Sequence, residues 1–340
     1  MLRALILGLI LVFIAFILLY LRGGQSQKKM TAQASSAIAL PLMSDSFWKA
    51  PDSTLIPVSE EGNLILYGRK LIAKTSDFFG PAGTIDHSAN GMNCQNCHLE
   101  AGTRPLGNNY GAVYSTYPKF RPRRGSTETI VERVNDCFSR SLNGRNLDSN
   151  SQEMKAILAY MKWVGSGVPK SKAPPGSGIL TLPFLDRAAD PVKGRVVYLT
   201  QCQRCHGPNG QGEYYPGTIK YKYPPLWGNN SYNTAAGLFR LSRFAGYVKC
   251  NMPFEVADYK KPVLSDEEAW DVAAFVNSQF RPVKTFHEDW PDISKKPFDH
   301  PFGPYVEHFS EIQHKYGPFA PIDKAIRARN KKRAAGLAKK

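Results

Sequence analysis

From Ala4 to Leu21 the chain is an almost unbroken run of Leu, Ile, Val, Phe and Ala, with Arg3 just before it. That length is close to what a helix needs to cross a bilayer. It exceeds the roughly 7–15 residues of a cleaved signal peptide's apolar core. Residues 1–22 therefore read as an uncleaved membrane anchor, favoured over a signal cut near Ala32-Gln33-Ala34, and the run has no polar face to suit a soluble helix. Further on, the apolar positions become periodic. Leu66, Leu71 and Ile72 predict a helix over 64–74, and Met154, Ile157, Leu158, Met161 and Trp163 predict another after Asn150, with Glu153 as capping partner. A second set follows: a helix around 192–199, then one opening at Ser265 with Glu268 as capping partner and carrying Trp270, Val272, Ala273, Phe275 and Val276.

These patterns divide the chain. Residues 23–46 are small and polar and read as a tether; 47–164 form a first domain. Residues 165–183, rich in Gly, Ser, Pro and Lys, form a linker, and 184–282 form a second domain. Residues 283–323 are an irregular extension, rich in Pro, His and aromatics, that packs over a domain surface. Residues 324–340 carry eight basic residues and no acidic one, a solvated tail. The tail accounts for half of the net charge of +16. Nucleic-acid binding, the first guess for a basic chain, has no supporting motif. With 28 Gly and 25 Pro, loops must fill much of the space between helices.

The chemistry lies in six cysteines. Cys94-Gln95-Asn96-Cys97-His98 and Cys202-Gln203-Arg204-Cys205-His206 are two Cys-x-x-Cys-His runs, each following a predicted helix. In this motif both thiols form thioethers to the vinyl groups of haem, and the histidine ligates iron. A zinc half-site or a redox dithiol is the rival for a single run; two complete runs in an exported chain favour two covalently bound haem c groups. The fold expected is all-α, two cytochrome c domains in tandem. His98 and His206 are the proximal ligands. For the second iron, Met252 in Asn251-Met252-Pro253 is the distal candidate, with Lys249 and Cys250 as neighbours able to compete. The first loop has no Met between His98 and Met154, and no His from 99 to 205. Cys137 stands where Met252 stands in the other domain, with Lys119 a weaker candidate and a buried structural thiol the alternative. A thiolate stabilises ferric iron and lowers the potential, so the pair is asymmetric and electrons run from the first haem to the second.

At this point the chain resembles the dihaem cytochrome c family of thiosulfate dehydrogenases, which join two thiosulfates into tetrathionate. The resemblance rests on residues 91–98 with Leu99-Glu100-Ala101-Gly102-Thr103, on residues 135–144 around Cys137, on Asn251-Met252-Pro253 and on residues 313–319. It implies a catalytic haem held by His98 and Cys137 and an electron-exit haem held by His206 and Met252. It leaves the direction of catalysis open. Two dianions need a cationic pocket, and Arg104 and Arg140 are the first candidates among Arg104, Arg121, Arg123, Arg124 and Arg140. Partners would be thiosulfate or tetrathionate and a redox partner such as a cytochrome c or a membrane electron acceptor. The location would be the extracytoplasmic face, anchored to the inner membrane by residues 4–21. A plain electron carrier and a dihaem peroxidase are the rival functions.

Overall fold

Residues 47–337 are described by a computed structural model. The first half carries α1 (Glu60–Ala73), α2 (Ile130–Arg140) and α3 (Gln152–Val164); the second carries α4 (Pro191–Val197), α5 (Leu241–Asn251) and α6 (Asp266–Ser278). After them come α7 (Glu311–Tyr316) and α8 (Ala320–Leu337). The expected anchor over residues 4–21 lies outside the described residues. Among those described, no helix is long and apolar enough to cross a membrane.

In each half the opening helix crosses the closing one, and a glycine sets the closeness of the crossing. At Gly68 of α1 an added Cβ would lie 2.0 Å from the Ala156 carbonyl oxygen of α3. At Gly194 of α4 it would lie 1.8 Å from the Asp271 carbonyl oxygen of α6. Only a residue without a side chain lets the backbones approach this far. Around the first crossing Ile65, Leu71, Ile72, Met154, Ile157, Tyr160 and Met161 are buried, whereas Leu66, expected inside, is 48% exposed. Around the second, Tyr198, Trp270, Val272, Ala273 and Val276 form the core.

Several expectations need correction. Ser151, not Asn150, caps α3, accepting from the Met154 N–H at 3.1 Å; Glu153 instead accepts a bond from Tyr67 Oη at 3.1 Å. The Ser265–Glu268 capping box of α6 is present. Both segments taken as long loops before the closing helices contain helices of their own. The chain is not purely α, because two short antiparallel hairpins are present, β1 (Lys119–Arg121) with β2 (Ser126–Glu128) and β3 (Glu213–Tyr214) with β4 (Tyr221–Tyr223). The basic tail is helical through Leu337 and partly docked: Arg329 pairs with Glu307 and donates to the Ser294 carbonyl, and just ahead of the tail, on the same helix, Ile322 is fully buried.

The linker is no free tether either. Gly176 and Gly178 accept from the backbone N–H groups of Leu106 and Asn108 at 2.8 Å, and Leu182 is buried in the second core. The two halves are joined at the first Cys-x-x-Cys-His run. Leu99 belongs to the second core and Cys97 packs on it. Tyr247 Oη donates to the Asn96 carbonyl at 2.8 Å. Asn233 fastens the end of α2, its backbone N–H donating to the Arg140 carbonyl at 3.1 Å and its side chain to that of Ser139 at 3.0 Å.

Candidate active site

The motif Cys94–His98 begins with a capped turn. The Asn93 N–H donates to Asn96 Oδ1 at 2.7 Å, and the Cys94 N–H donates to Thr75 Oγ1 at 3.0 Å. His98 Nδ1 is 2.6 Å from the Asn108 carbonyl. A carbonyl only accepts, so Nδ1 carries the proton and Nε2 is bare, the tautomer an iron ligand needs. Burial pushes the imidazole down to about 4, opposed by the Asn108 carbonyl, so it is neutral at ordinary pH. His206 repeats the device, with Nδ1 2.8 Å from the Pro224 carbonyl and its pKa lowered by burial.

Thr129 and Glu132 form a capping box that starts α2, and Cys137 sits on its last full turn. This box is the signal that would have marked a helix in what reads as a loop. Cys94, Cys97, His98 and Cys137 line one cavity of about 530 Å³. Tyr110, Ile157, Met161, Phe138 and Leu142 give the same cavity an apolar part of its lining beside the bare imidazole and the thiols. That donor set suits a porphyrin held by two thioethers. Among the described residues no cluster of three or more His, Cys, Asp or Glu could hold a metal ion. All six cysteines are free of disulfides.

Seven cations and no carboxylate line the same cavity. Lys119, Arg121, Arg123 and Arg133 come from the first half, Arg240 and Arg243 from the second, and Lys295 from the extension. Some are partnered just outside: Arg121 with Glu128 at 3.4 Å, Arg133 with Asp136 at 4.0 Å, and Arg240 with Asp299, Nε to Oδ1 at 2.8 Å. Lys119, Arg243 and Lys295 have no carboxylate within ion-pair distance among the described residues. Burial, then the charge of Arg240, lowers the Arg243 pKa, and burial and Arg121 lower that of Lys119. Arg123 falls to about 10, through burial and then Arg140. The site is short of negative charge.

Arg104 and Arg140, the arginines expected to meet substrate, are placed elsewhere. Arg140 is 4% exposed, donates from Nη1 and Nη2 to the two carboxylate oxygens of Asp289 at 2.7 and 2.8 Å, and lies 3.7 Å over the Phe286 ring. Arg104 donates to the Ala257 carbonyl at 2.8 Å and pairs with Glu100 at 3.3 Å. Neither lines the cavity. Their donors are spent on tying the extension and the second domain to the first. Asp289→Ala should therefore destabilise the protein by about 1–3 kcal/mol, because two buried Arg140 N–H groups lose their acceptors while Asp136, 3.4 Å from Nε, remains as the counter-charge; urea denaturation of the two proteins measures it.

In the second half Cys202 ends a five-residue π turn, and Met252 is the C-cap of α5. Cys202 and Met252 pack against the same core. Lys249 Nζ is engaged within the protein, donating to the Leu264 carbonyl at 2.7 Å and pairing with Asp266 at 2.7 Å. Cys250 is buried at 2% exposure.

Residues 85–169 match the family described as "SoxA/TsdA, cytochrome c domain", and residues 191–280 match "Cytochrome c". A thiosulfate dehydrogenase of Allochromatium vinosum is 39% identical over 237 residues, 68% of this chain and 84% of that protein. The chain belongs to the thiosulfate dehydrogenase family. Another thiosulfate dehydrogenase, from Stutzerimonas stutzeri, is 34% identical over 70% of this chain and 74% of its own. The solved thiosulfate dehydrogenase (TsdBA) of Marichromatium purpuratum superposes with a TM-score of 0.64 at 30% identity, over 69% of this chain; the chain spans half the length of that structure. As a member of this family with two cytochrome c domains, the protein carries two covalently bound haem c groups.

Proposed function

We propose that the protein oxidises two thiosulfates to tetrathionate at the first-domain haem, the same site also running the reverse reaction. One observation carries this reading: Cys94, Cys97, His98 and Cys137 share a cavity whose rim is cationic and free of carboxylates. In the reaction an S–S bond forms between the outer sulfurs of two dianions, and two electrons leave. The two haems, when bound, supply a one-electron acceptor each. The chain's residues do the rest. Two dianions about 4 Å apart in water repel by about 4 kcal/mol, four times the unit-charge figure. Lys119, Arg243 and Lys295, unneutralised by the protein, are the cations free to offset that repulsion; Arg121, Arg123, Arg133 and Arg240 add to the field.

His98, held by the Asn108 carbonyl, would supply the proximal nitrogen, and Cys137 the distal sulfur. His206 and Met252 would ligate the second iron, from which electrons pass to a redox partner such as a cytochrome c or a membrane acceptor, outside the cytoplasm. Packing of Cys97 and Leu99 on the second core, with the Tyr247–Asn96 hydrogen bond, supports a short path between the two proposed sites. A dihaem peroxidase fits less well, since the cavity offers no second imidazole and no carboxylate for distal acid–base work.

The test is a steady-state assay of the purified dihaem protein in both directions: thiosulfate with an oxidised acceptor, then tetrathionate with a reduced donor. We expect one tetrathionate for every two electrons accepted, with an apparent KM for thiosulfate that rises with ionic strength as the cationic rim is screened. Dihaem protein inactive in both directions would leave a plain electron carrier.

A further inference from the structure

We propose that the loop 104–109 links the two haem sites mechanically, with Asn251 of the second domain as a positioning residue for His98. The loop meets the first site through the Asn108 carbonyl, 2.6 Å from His98 Nδ1. It meets the second through the Leu106 carbonyl, which accepts from Asn251 Nδ2 at 3.2 Å. Asn251 ends α5, and the residue after it is Met252. Two carbonyls of one short loop, two residues apart, therefore reach His98 and the neighbour of Met252.

Asn251 is fully buried, and its amide serves only as a donor. Nδ2 bonds the Tyr247 carbonyl of its own helix at 2.8 Å as well as that of Leu106, while Oδ1 has no partner within the protein. A buried acceptor left unpaired costs about 1–3 kcal/mol, so an apolar residue of the same size would suit this position better if only packing mattered. What the asparagine adds is the bond to the loop.

The loop can pass that bond on because it is held on its other sides. Leu106 and Asn108 have left-handed backbones, with φ of 56° and 58°. Residues other than glycine keep that conformation where their surroundings impose it. The linker imposes part of it, through Gly176 and Gly178. Asn109 imposes the rest: Nδ2 donates to the Arg104 and Gly176 carbonyls at 3.2 and 2.7 Å, and Oδ1 accepts from the Gly111 N–H at 3.1 Å. A carbonyl that accepts from Nδ1–H makes an imidazole a stronger ligand through Nε2, which favours ferric iron. The seat of α5 thus helps to keep the first haem's potential low, and with it the downhill step to the second. The inference rests on His98 and Met252 as the iron ligands proposed above and deepens that reading.

The test is spectroelectrochemical titration of the full-length protein and its Asn109→Leu, Asn251→Leu and Asn251→Ala variants, each first shown by intact mass to carry two haems. The first-domain couple is the one missing from a Cys94→Ala/Cys97→Ala protein with a single haem. In Asn109→Leu, which frees the loop at three points, we expect that couple to shift about tenfold toward the reduced form, about 59 mV for one electron. Both Asn251 variants, one keeping the bulk and one removing it, should shift the same couple the same way by about threefold. In all three the His98 Nδ1 proton, followed by NMR, should exchange faster with solvent. A first couple unmoved in the Asn251 variants would overturn the link, whatever the second couple does. A first couple unmoved in Asn109→Leu would overturn it too, because the loop would then have no hold on His98. Failure of the ligand reading shows separately in the native protein, as a mass short of two haems or a first-haem spectrum without an imidazole ligand.

Discussion

Cys137→Met should keep both haems attached and lose thiosulfate oxidation by on the order of 10³-fold, the scale on which removal of a reacting group is felt. The haems should stay because Cys137 lies outside both proposed attachment pairs, Cys94 with Cys97 and Cys202 with Cys205. The loss follows from the proposed ligation, in which Cys137 gives iron an anionic sulfur and Met would give a neutral one, in a cavity lined by cations. With it the spectrum should lose its thiolate character and the first haem's potential should rise, since ferric iron is less stabilised. Met252→Ala makes the contrast: it should slow reoxidation by the acceptor while leaving reduction of the first haem by thiosulfate in a single turnover. Near-normal turnover of Cys137→Met with an unchanged spectrum would reduce Cys137 to a buried thiol and the protein to a carrier.

Gly194→Ala should destabilise the second domain by at least about 3 kcal/mol, although alanine is the better helix former by about 1 kcal/mol. The new Cβ meets the Asp271 carbonyl oxygen at 1.8 Å, and that oxygen belongs to a helix backbone, so α4 and α6 must separate. Separation also disturbs the Asp271 side chain, which accepts from Arg187 and from the Asp190 N–H that opens α4. Gly68→Ala should do the same in the first domain, against Ala156. Gly336→Ala is the control: nothing lies within 4 Å of its added Cβ on α8, so the change should be neutral or slightly stabilising. Thermal melting of the three variants decides. Equal melting temperatures would mean that the crossings are looser than described.

How far the sequence could carry these conclusions depended on the range of each interaction. The haem motifs and the Ser265–Glu268 box are local chemistry, complete within a few residues, and are legible as such. Thr129 and Glu132 are equally local, yet α2 stays hidden when the eye looks for a ligand loop instead of a helix start. The arginines fail for a different reason. Arg140 stands three residues from Cys137 and reads as a substrate contact, but its partner Asp289 is remote in sequence, and no local pattern announces the pair. Conversely, Arg243 and Lys295 reach the cavity from a second domain and an extension whose packing no periodicity foretells. The Gly, Ser and Pro of the linker signalled flexibility, whereas Gly176 and Gly178 hold the loop whose Asn108 carbonyl orients His98.

The join at the first motif bears on how the protein matures. Cys97 packs on the second core and Leu99 is buried in it, with Tyr247 bonded to Asn96 between the two cysteines. An enzyme that stitches vinyl groups to both thiols needs that stretch of chain open from both sides. Once residues beyond 184 have folded, one side is closed. The expected order is therefore first haem, then docking of the second half, the same order in which the two motifs are synthesised.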